Sequence, residues 1–350
     1  MDKKMRVAQA ALRLTDWYLE HARALPWREN PSPYRIWISE IMLQQTRIEA
    51  VKPYFDRFLA ALPDVRSLAE ASEETVLKLW EGLGYYSRAR NLQKAARLCM
   101  EKYGGELPRS YQDLLTLPGI GNYTAGAIAS IAWKERVPAV DGNVLRVLAR
   151  LCADGEDITR QAVKRAAEEL LIACLPEENP GSFNEGIMEL GETICLPNGA
   201  PLCMLCPLRE LCLAFEQGSV EKYPVKAAKK PRRIEDRTVF LIEVGRNVAI
   251  RKRPDTGLLA GLYELPSKEG HLTAVEVRDW LTEQKAAVTA VETLRKAKHI
   301  FSHVEWHMVG YRIQLEKELA GDWIYVPREE VREVYPLPTA LKAYAEYWNS

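Results

Sequence analysis

Two carboxylates, four crowded cysteines and a glycine-punctuated turn are the features of this sequence able to do chemistry. Glu40 lies in Tyr34-Arg35-Ile36-Trp37-Ile38-Ser39-Glu40-Ile41-Met42-Leu43, with apolar residues on most sides. Such surroundings disfavour the charged form and raise the pKa of a carboxyl, which readies it to donate a proton near neutrality. A glutamate on a helix surface between apolar neighbours is the plainer alternative. Asp141 follows Val137-Pro138-Ala139-Val140 and precedes a helical run over 143–148. There it can cap the helix, and the same amides would keep it ionised. One carboxyl biased toward neutral and one toward anionic is the division of labour that cleaving a glycosidic bond requires, an acid for the leaving group and an anion for the oxocarbenium ion.

Four of the seven cysteines run Cys195-x7-Cys203-x2-Cys206-x5-Cys212, close enough in sequence to surround one metal centre. A four-cysteine zinc site and a cubane iron–sulfur cluster both suit such a set. Zinc commonly takes two Cys-x2-Cys pairs, here there is one, and the unequal spacing leans toward the cubane. Cys99, Cys152 and Cys174 stand alone in apolar helical patterns and read as core, so no secreted disulfide framework is indicated. In Leu117-Pro118-Gly119-Ile120-Gly121 the proline stops one helix, the glycines permit positive backbone dihedrals, and a new helix is expected to open at Asn122. The unpaired N–H groups of its first turn can hold a phosphate without any lysine; an ordinary helical hairpin is the alternative.

The elements that must position these groups divide the chain of 350 residues in two. From Val7 to about Cys212 apolar residues recur at spacings of three and four, as in Val144, Leu145, Leu148 and Leu151, so this half is all-α. Residues 222–237 (KYPVKAAKKPRRIEDR) hold seven basic and two acidic residues and read as an exposed connector or a basic strap against DNA. Beyond it TVFLIEV, NVAIRKR, HMVGYRIQL and WIYVP are strand candidates with VEVRDWLTEQ as a helix between them, the pattern of an α+β domain. The expected boundaries are 1–221 for the helical region, 222–235 for the connector and 236–350 for the second domain. Gly82-Leu83-Gly84-Tyr85-Tyr86-Ser87 and Gly119-Ile120-Gly121-Asn122-Tyr123-Thr124 share one pattern, which predicts two similar tight turns. Lys plus Arg and Asp plus Glu both total 48, so any nucleic-acid contact must come from local patches. No apolar run approaches a membrane span and the N-terminus lacks a signal peptide's apolar centre, which predicts a cytoplasmic protein.

The hairpin, Asp141 and the cysteine set together resemble the helix-hairpin-helix DNA glycosylase superfamily, in which the three occur in this order. Pro26-Trp27-Arg28, Ser39-Glu40-Ile41-Met42-Leu43-Gln44-Gln45-Thr46, Gly82-Leu83-Gly84-Tyr85-Tyr86 and Val140-Asp141-Gly142-Asn143-Val144 narrow the resemblance to adenine DNA glycosylases, the MutY family, over nearly the whole chain. The resemblance implies one [4Fe-4S] cluster on Cys195, Cys203, Cys206 and Cys212, although seven residues separate the first two where the family usually has six. It implies that Glu40 protonates a flipped adenine at N7 and that Asp141 stabilises the sugar cation, by charge or through a transient covalent bond. Tyr123 and Asn143 would position Asp141 and the sugar, and Arg28 would contact the base or Glu40. Gln45 and Tyr85 would fill or wedge the base stack, and Leu117, Gly119 and Gly121 would meet the DNA backbone. The related endonuclease III branch carries a lysine nucleophile two residues after the second hairpin glycine. Here that place holds Tyr123, so base removal without efficient strand cleavage is expected, with an endonuclease III-like glycosylase and lyase as the alternative.

Gly257-Leu258-Leu259-Ala260-Gly261-Leu262-Tyr263-Glu264-Leu265-Pro266 resembles the Nudix-like domain that ends these glycosylases. The acidic Arg-Glu-x-x-Glu-Glu run of true Nudix hydrolases is missing, so nucleotide hydrolysis is not expected. His299-Ile300-Phe301-Ser302-His303 matches the family's 8-oxoguanine loop, which implies Ser302 and His303 as lesion-sensing residues and Phe301 as loop support; a polar turn is the alternative. The implied partner is double-stranded DNA with adenine opposite 8-oxoguanine or guanine, met by a monomer that is nucleoid-associated when bound. A catalytically inert DNA-damage binding module is the reading from another class, and Glu40 and Asp141 in fitting contexts speak against it.

Overall fold

A computed structural model of the chain describes residues 1–228 and 231–349, so that Lys229 and Lys230 of the connector lie outside the described residues. The chain packs as two compact units, residues 1–70 with 91–228 and residues 71–90 with 229–350. The first is helical throughout. Its core joins the helix Lys3–His21, which contributes Val7, Ala11 and Leu14, to Gly142–Leu151 through Val144 and Leu148, and to Pro180–Thr193 through Phe183, Ile187 and Leu190. Cys174 is buried in this cluster, Cys152 packs partly buried against it, and Cys99 is buried elsewhere in the unit. Among the described residues no helix is long and apolar enough to cross a membrane.

Gly142–Leu151 shows how sequence sets this packing. Asp141 caps its N-terminus and the apolar side chains that follow are buried, but so are Arg146 and Arg150, each only 4% exposed. Buried arginines need acceptors, and here backbone carbonyls supply them.

Among the described residues, the second unit carries a sheet of seven strands: β1 Arg233–Val244, β2 Asn247–Lys252, β3 Tyr263–Glu264, β4 Ser267–Glu269, β5 Val288–Ile300, β6 Val304–Leu315 and β7 Ile324–Pro327. Its order is β3-β2-β1-β6-β5, with β4 paired to β1 and β7 to β2. β1 and β6 run parallel, β5 and β6 antiparallel. Val239 and Leu241 face one core with Trp306, Met308 and Tyr344, whereas Phe240 and Ile242 face another with Val277 and Leu281 of the helix Ala274–Glu283. Cover on both faces explains why β1 reads as a continuous apolar run. In that helix Glu276 closes a capping box with Thr273, which occupies one of the few acids near the position of a Nudix metal motif.

Three sequence expectations change. β1 opens at Arg233, inside the expected connector, because its pairing with β6 extends back to the register Arg233↔Val304. β5 was not expected at all: most of its thirteen residues are exposed and charged or small, since an edge strand lacks the apolar alternation of a half-buried one. The two glycine turns also differ. Gly82, Gly84 and Tyr85 all have positive φ and their helix starts at Ser87, whereas only Gly119 is positive in the other, whose helix starts two repeat positions earlier, at Asn122.

Candidate functional site

Glu40 sits on the helix Pro33–Leu43, which starts with Ser32 as cap and proline at its first position and is buried on nearly every side. The residue is 7% exposed, so it is not a surface glutamate. Its Oε2 accepts a hydrogen bond of 2.6 Å from the Tyr123 hydroxyl. Burial pushes the Glu40 carboxyl up to about 7, the Tyr123 bond pulls it down, and the charges of Glu185 and Asp141 push it further up. Tyr123 stands on Asn122–Trp133, the helix after the hairpin, and its hydroxyl is held far above its ordinary range by burial first and then by Glu40 and Asp141. It therefore remains a donor at every pH of interest. The sequence placed Tyr123 beside Asp141; its hydrogen bond goes to Glu40 instead.

Asp141 caps Gly142–Leu151 as expected. Its Oδ1 accepts from the Val144 amide at 2.8 Å and its Oδ2 from Asn143 Nδ2 at 2.8 Å. Burial raises this carboxyl, and the Val144 and Asn143 hydrogen bonds that favour its charged form oppose the rise. Asn143 is fixed in turn. Arg146 Nη2 donates to Asn143 Oδ1 at 2.8 Å and to the Gly191 carbonyl at 2.7 Å, while Arg146 Nε donates to the Cys195 carbonyl at 2.8 Å. A Cβ at Gly191 would stand 2.7 Å from Asn143 Cβ, so glycine is what allows the helix Pro180–Thr193 this close. The segment entering Asp141 is held by the fully buried Asn184, which bonds the Ala139 amide and the Val137 carbonyl.

The sequence reading missed the acids of Pro180–Thr193. Glu185, Glu189 and Glu192 are spaced four and three residues apart, so one helix face carries all three. That spacing is the signal that could have found them. Arg23 pairs with Glu189 and, at 2.7 Å, with Glu192; Arg28 pairs with Glu185 at 3.0 Å and with Glu189 at 3.1 Å. Burial opposes the charge of Glu189, yet the two arginines hold it below the ordinary range. Arg28 makes no hydrogen bond to Glu40 and acts on it through charge, because its nitrogens are engaged by Glu185, Glu189 and the Arg23 carbonyl. With Glu40 protonated, the four carboxyls of Asp141, Glu185, Glu189 and Glu192 still outnumber the guanidiniums of Arg23, Arg28 and Arg146, a balance that favours a developing cation.

The hairpin does part of what was expected. Gly119 has φ +80, and a Cβ there would meet Asn91 at 2.7 Å. Gly121 is extended, not left-handed, and as the cap of Asn122–Trp133 it has no side chain to bond the first amides. They are left for an outside acceptor. Leu117 is buried, so its side chain belongs to the core and any DNA contact there is through the backbone. Gln45 is exposed with φ +59 just past the helix of Glu40.

Cys195, Cys203, Cys206 and Cys212 line one small cavity together with Arg150 and Phe215. Among the described residues no three metal-ligating side chains stand close enough to share a single ion. Four thiols lining this cavity, with Arg150 Nη1 3.2 Å from Cys195 Sγ, offer the thiolate donors that an iron–sulfur cluster takes. The loop between Cys195 and Cys203 closes on itself, Leu202 N donating to the Ile194 carbonyl at 2.9 Å.

In the second unit, Phe301, Ser302 and His303 form the tip between β5 and β6. Phe301 packs edge-on against His299 and Trp306, a supporting role, while Ser302 and His303 are exposed. Tyr85, 45% exposed and with φ +49, joins its hydroxyl to Ser302 Oγ at 2.8 Å. These residues line a pocket of about 600 Å³ whose floor includes Leu258 and Ala260 of the glycine-leucine segment.

Residues 38–172 match the HhH-GPD superfamily of base excision DNA repair proteins and residues 238–347 match the NUDIX domain. The chain is 36% identical to an adenine DNA glycosylase of Mus musculus over 88% of this chain and 71% of that protein. It is 35% identical to the adenine DNA glycosylase of Buchnera aphidicola subsp. Acyrthosiphon pisum over 86% of this chain and 85% of that one. Among solved structures, a thermostable thymine-DNA glycosylase superposes with a TM-score of 0.54 at 28% identity, over 61% of this chain and 98% of its own. Endonuclease III from a non-covalent DNA complex shares the fold, with a TM-score of 0.53 at 24% identity, over 62% and 99% respectively.

Proposed function

This chain belongs to the adenine DNA glycosylase family, and on that premise we propose that it excises adenine opposite 8-oxoguanine or guanine in double-stranded DNA, leaving the strand intact. It is a DNA N-glycosylase of base excision repair. The observation that carries the finer reading is the pair of buried carboxyls: burial raises both, Glu40 to about 7, while Asp141 keeps the Val144 amide and Asn143 donating to its charged form. Glu40 gives its proton to N7 of the extruded adenine, and the electrons of the glycosidic bond leave with the base. Asp141 faces the resulting sugar cation, and the surplus of carboxylates lowers the energy of that charge. Water adds at C1′ and returns a proton to Glu40, which restores the acid. Tyr123 holds Glu40, Asn143 orients Asp141, and Arg28 orders the acids of Pro180–Thr193.

With tyrosine at position 123 there is no amine to form a Schiff base, which supports excision without strand cleavage. Cys195, Cys203, Cys206 and Cys212 would hold one [4Fe-4S] cluster, and such a cluster supplies a rigid cross-link of its loop. Ser302 and His303 would read the lesion, with Tyr85 and Gln45 at the base stack. The enzyme works as a monomer in the cytoplasmic compartment that holds the DNA.

Single-turnover incubation with duplexes carrying adenine opposite 8-oxoguanine, guanine or thymine tests this, with alkali added to half of each sample. Cleavage only after alkali, fastest opposite 8-oxoguanine and absent opposite thymine, is expected. Strand breaks without alkali would overturn the monofunctional reading. Metal analysis of the same protein should give roughly four iron atoms per chain, and zinc in place of iron would overturn the cluster assignment.

A further inference from the structure

The mechanism leaves unused the most basic stretch of the chain, the connector, whose end is attached to the turn assigned to lesion recognition. We propose that Arg232 and Arg233 form a phosphate-binding pair that grips the backbone of the DNA strand read by Ser302 and His303. The proposal rests on the reading of this chain as an enzyme of double-stranded DNA.

The attachment is specific. Arg232 Nε donates to the Phe301 carbonyl at 3.0 Å, and the Arg233 amide donates to the His303 carbonyl at 3.2 Å. The turn is itself closed by the Phe301 amide on the Val304 carbonyl at 2.8 Å, and Arg233 stands in parallel register with Val304. Both arginines thus move with the turn as one piece. With Nε held by a carbonyl, the guanidinium plane of Arg232 is set while its terminal N–H groups can meet an outside acceptor, and Arg232 is exposed with no ion pair among the described residues. The side chain of Arg233 is 73% exposed and, among the described residues, pairs with Glu235, a carboxylate also bonded by Arg237 and by Trp306 Nε1.

The surroundings carry both signs: the stretch 296–304 (KAKHIFSHV) contains two lysines, two histidines and no acid, while Glu305 beyond it pairs with Lys298 and Glu235 pairs with Arg233. A protein of zero formal charge has no overall attraction to DNA, so its affinity must be concentrated in places such as this. Base-reading side chains also need neighbouring backbone contacts to fix their register, and the planar arginine fork matches two phosphate oxygens at once. A pair of arginines tied to the carbonyls of the reading turn meets both needs, and a phosphodiester chain is the partner whose repeat of single negative charges it fits.

The test uses the full-length, metal-replete protein and two labelled duplexes, one with 8-oxoguanine opposite 2′-fluoro-2′-deoxyadenosine, which resists excision, and one undamaged. Binding is followed by anisotropy over a range of potassium chloride concentrations for the unaltered protein, R232Q/R233Q and R232K/R233K. The glutamine variant should lower the slope of log affinity against log salt by about 1.8, the release expected for two phosphates, equally on both duplexes. The lysine variant should keep the slope. An unchanged slope in R232Q/R233Q, as a surface for an acidic protein would give, overturns the proposal, as does a loss confined to the lesion duplex. Failure of the unaltered protein to bind either duplex would overturn the DNA-enzyme reading itself and the proposal with it.

Discussion

Replacing Tyr123 by Phe removes one hydroxyl and should move the pH dependence of excision upward. The hydroxyl donates to Glu40 Oε2 at 2.6 Å, and of the groups acting on Glu40 it is the largest that favours the charged form. A hydrogen bond to a charged acceptor contributes roughly 1.5–3 kcal/mol, and about 1.4 kcal/mol corresponds to one pH unit. Its loss, with burial unchanged because the ring remains, should carry Glu40 from about 7 to roughly 8–9. Because the proposed acid must be protonated to act, the alkaline limb of the single-turnover rate should shift upward by about one to two units. The plateau at low pH should fall several-fold, since a weaker acid transfers its proton less readily. The assay is excision of adenine opposite 8-oxoguanine under single-turnover conditions at intervals from about pH 5 to 10. A limb that stays in place or moves downward would refute the reasoning, either because Glu40 is not the titrating acid or because Tyr123 does not hold its anion.

Glu40→Gln should cut excision by roughly 10²–10⁴ with duplex binding retained. Its effect on stability has a definite sign: the folded protein keeps the Glu40 proton in a range where the unfolded chain has released it, so the folded state loses stability as pH rises from about 4.5 to about 7. The variant should therefore be more stable than the parent above pH 7, by up to roughly 3 kcal/mol, and the gain should vanish in acid; denaturant titration at the two extremes checks this, and a gain independent of pH would count against it. Gly191→Ala should lower the excision rate at least tenfold while leaving duplex affinity intact, because the new Cβ would press on Asn143 Cβ at 2.7 Å and dislodge the amide that holds Asp141. Parent-like single-turnover rates would show that Asn143 does not set Asp141.

Much of this architecture was legible in residue types and spacings, and the failures have physical causes. Glu40 declared itself because a carboxylate inside an apolar helical stretch is costly wherever that helix is buried on all sides. Asp141 declared its cap but not its charge: capping is a local property of the residues that follow, whereas desolvation comes from helices distant in sequence. Arg28, expected at the base or at Glu40, is hydrogen-bonded among the acids of Pro180–Thr193, since a long flexible side chain goes to whichever charge tertiary packing brings nearest. β5 escaped notice because an edge strand draws its hydrogen bonds from one neighbour and its sequence answers mainly to solvent.

The helix Pro180–Thr193 ties these observations together. One face carries Glu185, Glu189 and Glu192, near its end Gly191 lends a carbonyl to Arg146, and the Leu190 carbonyl accepts the Cys195 amide at 2.7 Å. Arg146 then spans from the backbone of Cys195 to Asn143, and Asn143 holds Asp141. The orientation of Asp141, the carboxylate proposed to face the sugar cation, is therefore linked to where the cysteine loop begins through the side chains of Arg146 and Asn143. A displacement of about 1 Å at a reacting centre can cost two orders of magnitude in rate. Loosening that loop should thus slow excision through the position of Asp141 while duplex affinity is retained.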